Sequence, residues 1–240
     1  MEGEALSGAS TTDLVVMTCE RLPLLKRTLA HIWECTTTPY RLHVVDDASR
    51  EGNAAYVRGL HRKGKIASVL LRKRRVGISA NLRTLAGLTT SDPLVFTDDD
   101  ILCPRLDPDW LARGLEAMQR FPQIGMLALN SPHCNVGGSK RGVLVPSGPV
   151  TMCRNVPGSF VFMRRAVLAK CAPPDGIQSP VKHMCDQATA LGWRVGYLAD
   201  VYCQHIGLVS VRLHNDLSRE IALVAPINSD TLEPPDEYKG

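Results

Sequence analysis

The chain has 240 residues, of which 44% are hydrophobic and 22% charged, with a formal net charge of +4 and a pI near 8.7. That is the make-up of a soluble globule of one domain, long enough to bury a sizeable core without staples. It excludes a low-complexity or disulfide-scaffold chain. The mild basicity suits a phosphate-bearing ligand without requiring nucleic acid.

The opening MEGEALSGASTT carries neither a basic nor an apolar signal region, and no apolar run reaches membrane-spanning length. A cytoplasmic location and no transmembrane segment are expected. The eight cysteines form no CxxC pair and are irregularly spaced, so free thiols are expected rather than a zinc site.

In chain order, residues 1–11 read as a flexible N-terminus. Four runs rich in Val, Leu and Ile follow, at Asp13–Thr18, Arg41–Asp46, Ala67–Arg72 and Leu94–Asp98, with starts 28, 26 and 27 residues apart. Helical spacing fills the gaps at Pro23–Cys35, Asn53–Lys63 and Ser79–Leu88, with Ser79 a candidate N-cap. Strand and helix alternating at that period predict an α/β fold, a Rossmann-like and mainly parallel central sheet with helices on both faces.

Beyond residue 100 the rhythm loosens. A helix is predicted at Asp107–Arg120, a strand at Ile124–Leu129, and a long Gly-, Pro- and Ser-rich loop at Asn130–Pro157. Loops of that length are functional or mobile. Then come a strand at Gly158–Met163, helices at Arg165–Lys170 and Val181–Leu191, and strands at Trp193–Leu198 and Val201–Gln204. Residues 208–240 form a C-terminal tail, with Glu233–Gly240 expected to lack order.

In open α/β sheets, ligands sit beyond the carboxyl ends of the strands. Asp46 and Asp47 end the second strand, Asp98, Asp99 and Asp100 end the fourth, and Thr18 and Glu20 follow the first. An acid after a strand often just caps the next helix. Two acidic groups on one edge instead point to a hard divalent cation, Mn²⁺ or Mg²⁺, shared with substrate phosphate. The run Arg72, Lys73, Arg74, Arg75, followed by Gly77 at a helix start, offers guanidinium forks and backbone N–H groups to those phosphates.

Taken together, LVVMTCERLPLLKRTL, HVVDDAS, VGISANLRTLAGL, FTDDD, GSFVFMRRAVL and CDQATALGWRVGYLADVYCQH resemble the GT-A glycosyltransferases, in particular inverting family 2. The resemblance covers residues 12 to 207 as one domain, with 12–100 the nucleotide-binding half and 101–207 the acceptor half. It implies a transferase that moves a sugar from a nucleotide-diphosphate sugar, commonly a UDP-sugar, to an acceptor hydroxyl with inversion. Thr18, Glu20, Asp46, Arg75, Asn81 and Asp98 would bind the nucleotide sugar. Asp99, Asp100 and His205 would hold the metal, and Asp186 would be the catalytic base.

Two registers of the acidic DXD motif fit FTDDD. One starts at Thr97 and makes Asp99 the ligand; the other uses Asp98 and Asp100. The family's usual Glu-Asp pair is here Cys185-Asp186. Trp193 reads as core or acceptor wall. The acceptor is expected to be a small molecule or glycan, with modified DNA a further option; nothing bears on oligomeric state. A sugar-phosphate nucleotidyltransferase would need glycines after the first strand, which MTCERLPLL lacks. A non-catalytic binding module on the same scaffold would have no need of the intact acids.

Overall fold

The computed structural model describes residues 11–131 and 145–207. Its strands are β1 (Thr12–Thr18), β2 (Tyr40–Asp46), β3 (Ser68–Leu71), β4 (Leu94–Asp98), β5 (Ile101–Leu102), β6 (Ile124–Asn130), β7 (Val145–Ser147), β8 (Val150–Met152), β9 (Val161–Met163), β10 (Arg194–Tyr202) and β11 (Gln204–His205). Its helices are α1 (Leu22–Cys35), α2 (Glu51–Arg62), α3 (Gly77–Leu88), α4 (Trp110–Arg120), α5 (Arg165–Cys171) and α6 (Pro180–Ala190).

Nine strands form one sheet in the order β3-β2-β1-β4-β9-β6-β10-β8-β7, while β5 and β11 pair separately. Strands β3, β2, β1, β4, β6, β10 and β7 run one way; β9 and β8 oppose them. The expected mainly parallel architecture is present, with its reversals confined to strands beyond residue 100.

The apolar runs are continuous because both faces of the sheet are covered. In β1, Leu14 and Val16 enter one core with Leu25, Leu29 and Ile32 of α1 and Trp110 of α4. Val15 and Met17 enter the other with Leu82 and Leu85 of α3 and Met184 and Ala188 of α6. Period two in the strand thus feeds two helical layers. Gly114 of α4 is held small by the ring of Phe162, 2.0 Å from where a Cβ would stand.

Several expectations are corrected. The stretch 130–157 is not one loop, because β7 and β8 form a hairpin inside it and extend the sheet beyond β10. Two strands expected at 193–204 are a single β10. Ser79 does not cap α3: it is buried within the helix, and Val76 stands at the N-cap. The N-terminus, Cys134 and the tail lie outside the described residues. Six of the seven described cysteines are buried.

At the amino-end edge of the sheet, buried Asp13 accepts from Arg41 Nε at 2.7 Å, His43 Nε2 at 3.0 Å, and the backbone N–H of Thr90 at 2.5 Å and Ser91 at 2.9 Å. Burial pushes its pKa up, but these donors outweigh it and hold the carboxyl well below the usual range. A depressed carboxylate contributes stability above its unfolded pKa of about 3.9 and loses it as pH falls. Asp13→Asn should therefore cost about 3 kcal/mol at pH 7, with a smaller penalty at pH 3. Urea unfolding of both proteins at the two pH values checks this; an equal penalty at both would count against the charge.

Candidate active site

The parallel register of β1, β2 and β4 builds the site. Thr18 pairs with Asp46 across β1 and β2, and Met17 pairs with Asp98 across β1 and β4. Three polar strand ends are thereby forced side by side at the carboxyl edge. The chain then turns at Asp99 and Asp100 into β5, which pairs with β11 so that His205 lies opposite Ile101.

Asp46 is buried. Its Oδ1 accepts from the Ser49 N–H at 2.7 Å, and its Oδ2 has no partner among the described residues. That oxygen is an unused acceptor, buried from solvent. Glu20 adopts φ 63°, and its N–H donates to Ser49 Oγ at 2.7 Å. A non-glycine residue in that region is held there by its surroundings. Asn53, which the sequence did not single out, reaches Thr18 Oγ1 at 3.4 Å and Ser49 Oγ at 3.2 Å.

The basic run also makes contacts within the protein. Arg72 Nε donates to Asn81 Oδ1 at 3.1 Å, so Asn81 is a buried support for Arg72. Arg75 is exposed and lies over Cys19, with NH2 2.7 Å from Sγ. Two amides at the start of α3 are already taken: Asp47 accepts from Val76 N and Gly77 N, each at 2.8 Å. Exposed Lys73, Arg74 and Arg75 add positive charge before the helix.

Asp99 Oδ2 accepts from Thr18 Oγ1 at 2.5 Å, and its other oxygen is held by Arg21. Arg21 also grips Asp100 Oδ2, which lies 3.2 Å from His205 Nε2; Asp100 Oδ1 is buried without a partner among the described residues. Gly207 closes over this cluster, since a Cβ there would stand 2.2 Å from Asp100 Oδ2. Burial and the charges of Asp100 and Asp99 push Asp98 up to about 7. Burial likewise raises Asp99 to about 6 against the pull of Arg21 and Thr18. Burial also acts on Asp100, but His205 and Arg21 outweigh it and hold that carboxyl below its usual range.

No preassembled cluster of three or more His, Cys, Asp or Glu ligands exists among the described residues. The chemistry of the donors nevertheless fits a hard cation: two carboxylates with raised pKa, one orphaned buried carboxylate oxygen, and one imidazole. Asp98, Asp99, Asp100 and His205 are the residues that would hold Mn²⁺ or Mg²⁺.

Asp186 lies apart from this group. It is exposed on α6, bonded to Lys182 Nζ at 2.6 Å, and lines a cavity of about 500 Å³ with Met152, Arg154, Trp193 and Arg194. Trp193 and Arg194 open β10, so the cavity reaches toward the edge opposite the acids. Val181, at the start of α6, is the part of the helix beside the rim: Gly158 lies between it and Asp98. Asp186 is about 7.5 Å further along the axis. The structure thus brings Thr18, Glu20, Asp46, Asp98, Asp99, Asp100 and His205 to one edge and leaves Asp186 on another wall.

Residues 13–139 match the sequence model of Glycosyl transferase family 2. The chain belongs to that family. No curated protein matches it by sequence. Among solved structures, this family 2 chain is similar to the mannosyltransferase PcManGT from Pyrobaculum calidifontis, in complex with GDP-Man and Mn²⁺, at 21% identity and TM-score 0.66, covering 81% of this chain and 56% of that one. It is also similar to TarS 1-349 from S. aureus, at 15% identity and TM-score 0.61, over 80% and 60% of the two chains. GalNAc-T7 with UDP, GalNAc and Mn²⁺ gives 14% identity and TM-score 0.64, over 81% and 43%. At such identities the likeness is one of fold, GT-A, and the chain spans less than two thirds of each relative. No helix among the described residues is long and apolar enough to cross a membrane.

The raised acids make a prediction for the metal-free protein. Between about pH 4 and 7 the folded chain binds protons that the unfolded chain releases, so stability is lost as pH rises through that window. Thermal melts in chelator should fall from pH 5 to pH 8, and Asp98→Asn should flatten the slope. An unchanged slope in the variant would remove Asp98 from the account.

Proposed function

We propose that the chain transfers a sugar from a nucleoside-diphosphate sugar to an acceptor hydroxyl with inversion, with Mn²⁺ or Mg²⁺ held at Asp98, Asp99, Asp100 and His205. The observation that carries this reading is the register of β1, β2 and β4, which sets an unpartnered Asp46 oxygen beside an under-neutralised acid cluster. The first can accept from a base; the second can take a cation that also meets phosphate. PcManGT with GDP-Man and Mn²⁺, and GalNAc-T7 with UDP and Mn²⁺, support a donor of this class on this fold.

Within the proposal, Asp46 with Ser49 and Asn53 receives the nucleobase, and uracil is the expected base. Asp98 stands nearest the ribose and the metal. When bound, the cation would neutralise the diphosphate and stabilise the charge that develops as it leaves. Exposed Lys73, Arg74 and Arg75 lie beside this edge and add positive charge for the phosphates.

Asp186 is the proposed general base, accepting the proton of an acceptor hydroxyl as its oxygen attacks the anomeric carbon. General-base help of this kind is worth about 10²–10⁴ in rate. The geometry sets a condition on this role: the base must reach the same oxygen that attacks, so the donor's anomeric carbon has to extend from the rim past Val181 toward Asp186. The acceptor class proposed is a small molecule or glycan, with modified DNA as the other class to screen.

Two measurements test the reading. In a thermal-shift screen of nucleotide sugars, one donor should stabilise the protein with Mn²⁺ and lose its effect with chelator, and Asp99→Asn should abolish the shift. Stabilisation that ignores chelator would count against the metal. Separately, Asp186→Asn should lose at least 100-fold in transfer while donor binding persists; turnover within threefold of wild type would place the base elsewhere.

A further inference from the structure

Arg21 is a residue for which the sequence offered no role. It stands at the N-cap of α1, and its carbonyl accepts from Leu25 N at 2.9 Å, so its backbone is fixed as the helix start. Its side chain, 27% exposed, crosses to the rim and forks, one nitrogen on Asp99 Oδ1 and the other on Asp100 Oδ2. The other groups facing these two carboxylates are Thr18, Asp98 and His205.

The planar guanidinium suits two adjacent carboxylates, and it cannot shed its charge by losing a proton. Without it, three successive aspartates would meet only a hydroxyl and an imidazole, an arrangement whose desolvation has little to offset it. The fork therefore does locally what a divalent ion would do. It also engages the same oxygens. Of the remaining two, Asp99 Oδ2 is bonded to Thr18 and only Asp100 Oδ1 is open among the described residues.

We propose that Arg21 is the resident counter-cation of the acid rim, holding Asp99 and Asp100 until a divalent cation displaces its guanidinium. This rests on the reading of the rim as a metal site. Metal binding is then an exchange of one cation for another: it is weaker than the acids alone would give, and the protein folds without metal. A diphosphate arriving with the donor offers the displaced guanidinium a new anionic partner, which couples metal entry to donor binding. Arg21 is a positioning residue in this scheme, set by where its backbone is anchored.

The test uses the full chain with Mn²⁺ alone, free ion being followed by electron paramagnetic resonance, in wild type, Arg21→Gln and Arg21→Lys. Arg21→Gln should bind Mn²⁺ at least tenfold more tightly than wild type, melt lower in chelator, and gain more in Tm from Mn²⁺. Arg21→Lys, which keeps a charge but not the fork, should fall between them. Should Arg21→Gln fold only when Mn²⁺ is supplied, that too supports the exchange, and Arg21→Lys then supplies the affinity comparison. Binding by the variants no tighter than by wild type overturns the role of Arg21 while leaving the metal site intact. Absence of Mn²⁺ binding in all three, even with UDP present, overturns the metal reading and the proposal with it.

Discussion

Carboxylates gathered at the end of a buried sheet repel one another, and the fold has to supply something positive among them. Here the gathering is unavoidable once the register of β1, β2 and β4 is set. Thr18 must lie beside Asp46, and Asp98 must lie one step away. Both faces of those strands are sealed by apolar layers, so the polar ends can point only to the carboxyl edge. The site is a consequence of packing that was fixed by hydrophobic residues elsewhere.

The same residue type behaves in opposite ways at the two edges of the sheet. Asp13 and Asp109 are buried, yet donors outnumber their lone demands: Asp109 caps α4 through Leu111 and Ala112 and also accepts from Thr37 and Thr38. Both carboxyls are held below the ordinary range. Asp98 and Asp99 are raised, because burial and neighbouring charge exceed what Arg21 and Thr18 return. Satisfied acids are what a structural role needs. Raised ones store free energy that an arriving cation can release. Asp100, held below the ordinary range by His205 and Arg21, goes with the satisfied acids although it stands at the rim, so the contrast marks Asp98 and Asp99 in particular.

Much of this was legible in the sequence, for physical reasons. Continuous apolar runs at a regular period specify buried parallel strands, and strand-end acids specify the ligand edge. What could not be read was where side chains cross between elements. Asp47 was grouped with Asp46 by adjacency, but it faces α3 and caps it through Val76 and Gly77. Asn81 was expected near the nucleotide, and its bond to Arg72 was not foreseen. Arg21 sits in plain view between Glu20 and Leu22, yet its partners are 78 and 79 residues away. The β7–β8 hairpin hid inside a Gly- and Pro-rich stretch because three-residue strands carry no period to detect.

Helix α6 shows how direction limits function. It starts at the rim, where Val181 nears Gly158 and Asp98, and runs away from it to hand the chain to β10 at the opposite edge. Each residue along it is about 1.5 Å further from the acids. Its buried stripe of Met184, Cys185 and Ala188 fixes its rotation, which turns Lys182 and Asp186 outward together as an i, i+4 pair. In the proposed transfer, a carboxylate there can serve as base only if the donor's anomeric carbon extends past Val181, because the base must reach the same oxygen that attacks. The reach of the donor sugar is therefore the physical link that the proposal requires between the Asp186 cavity and the acid rim.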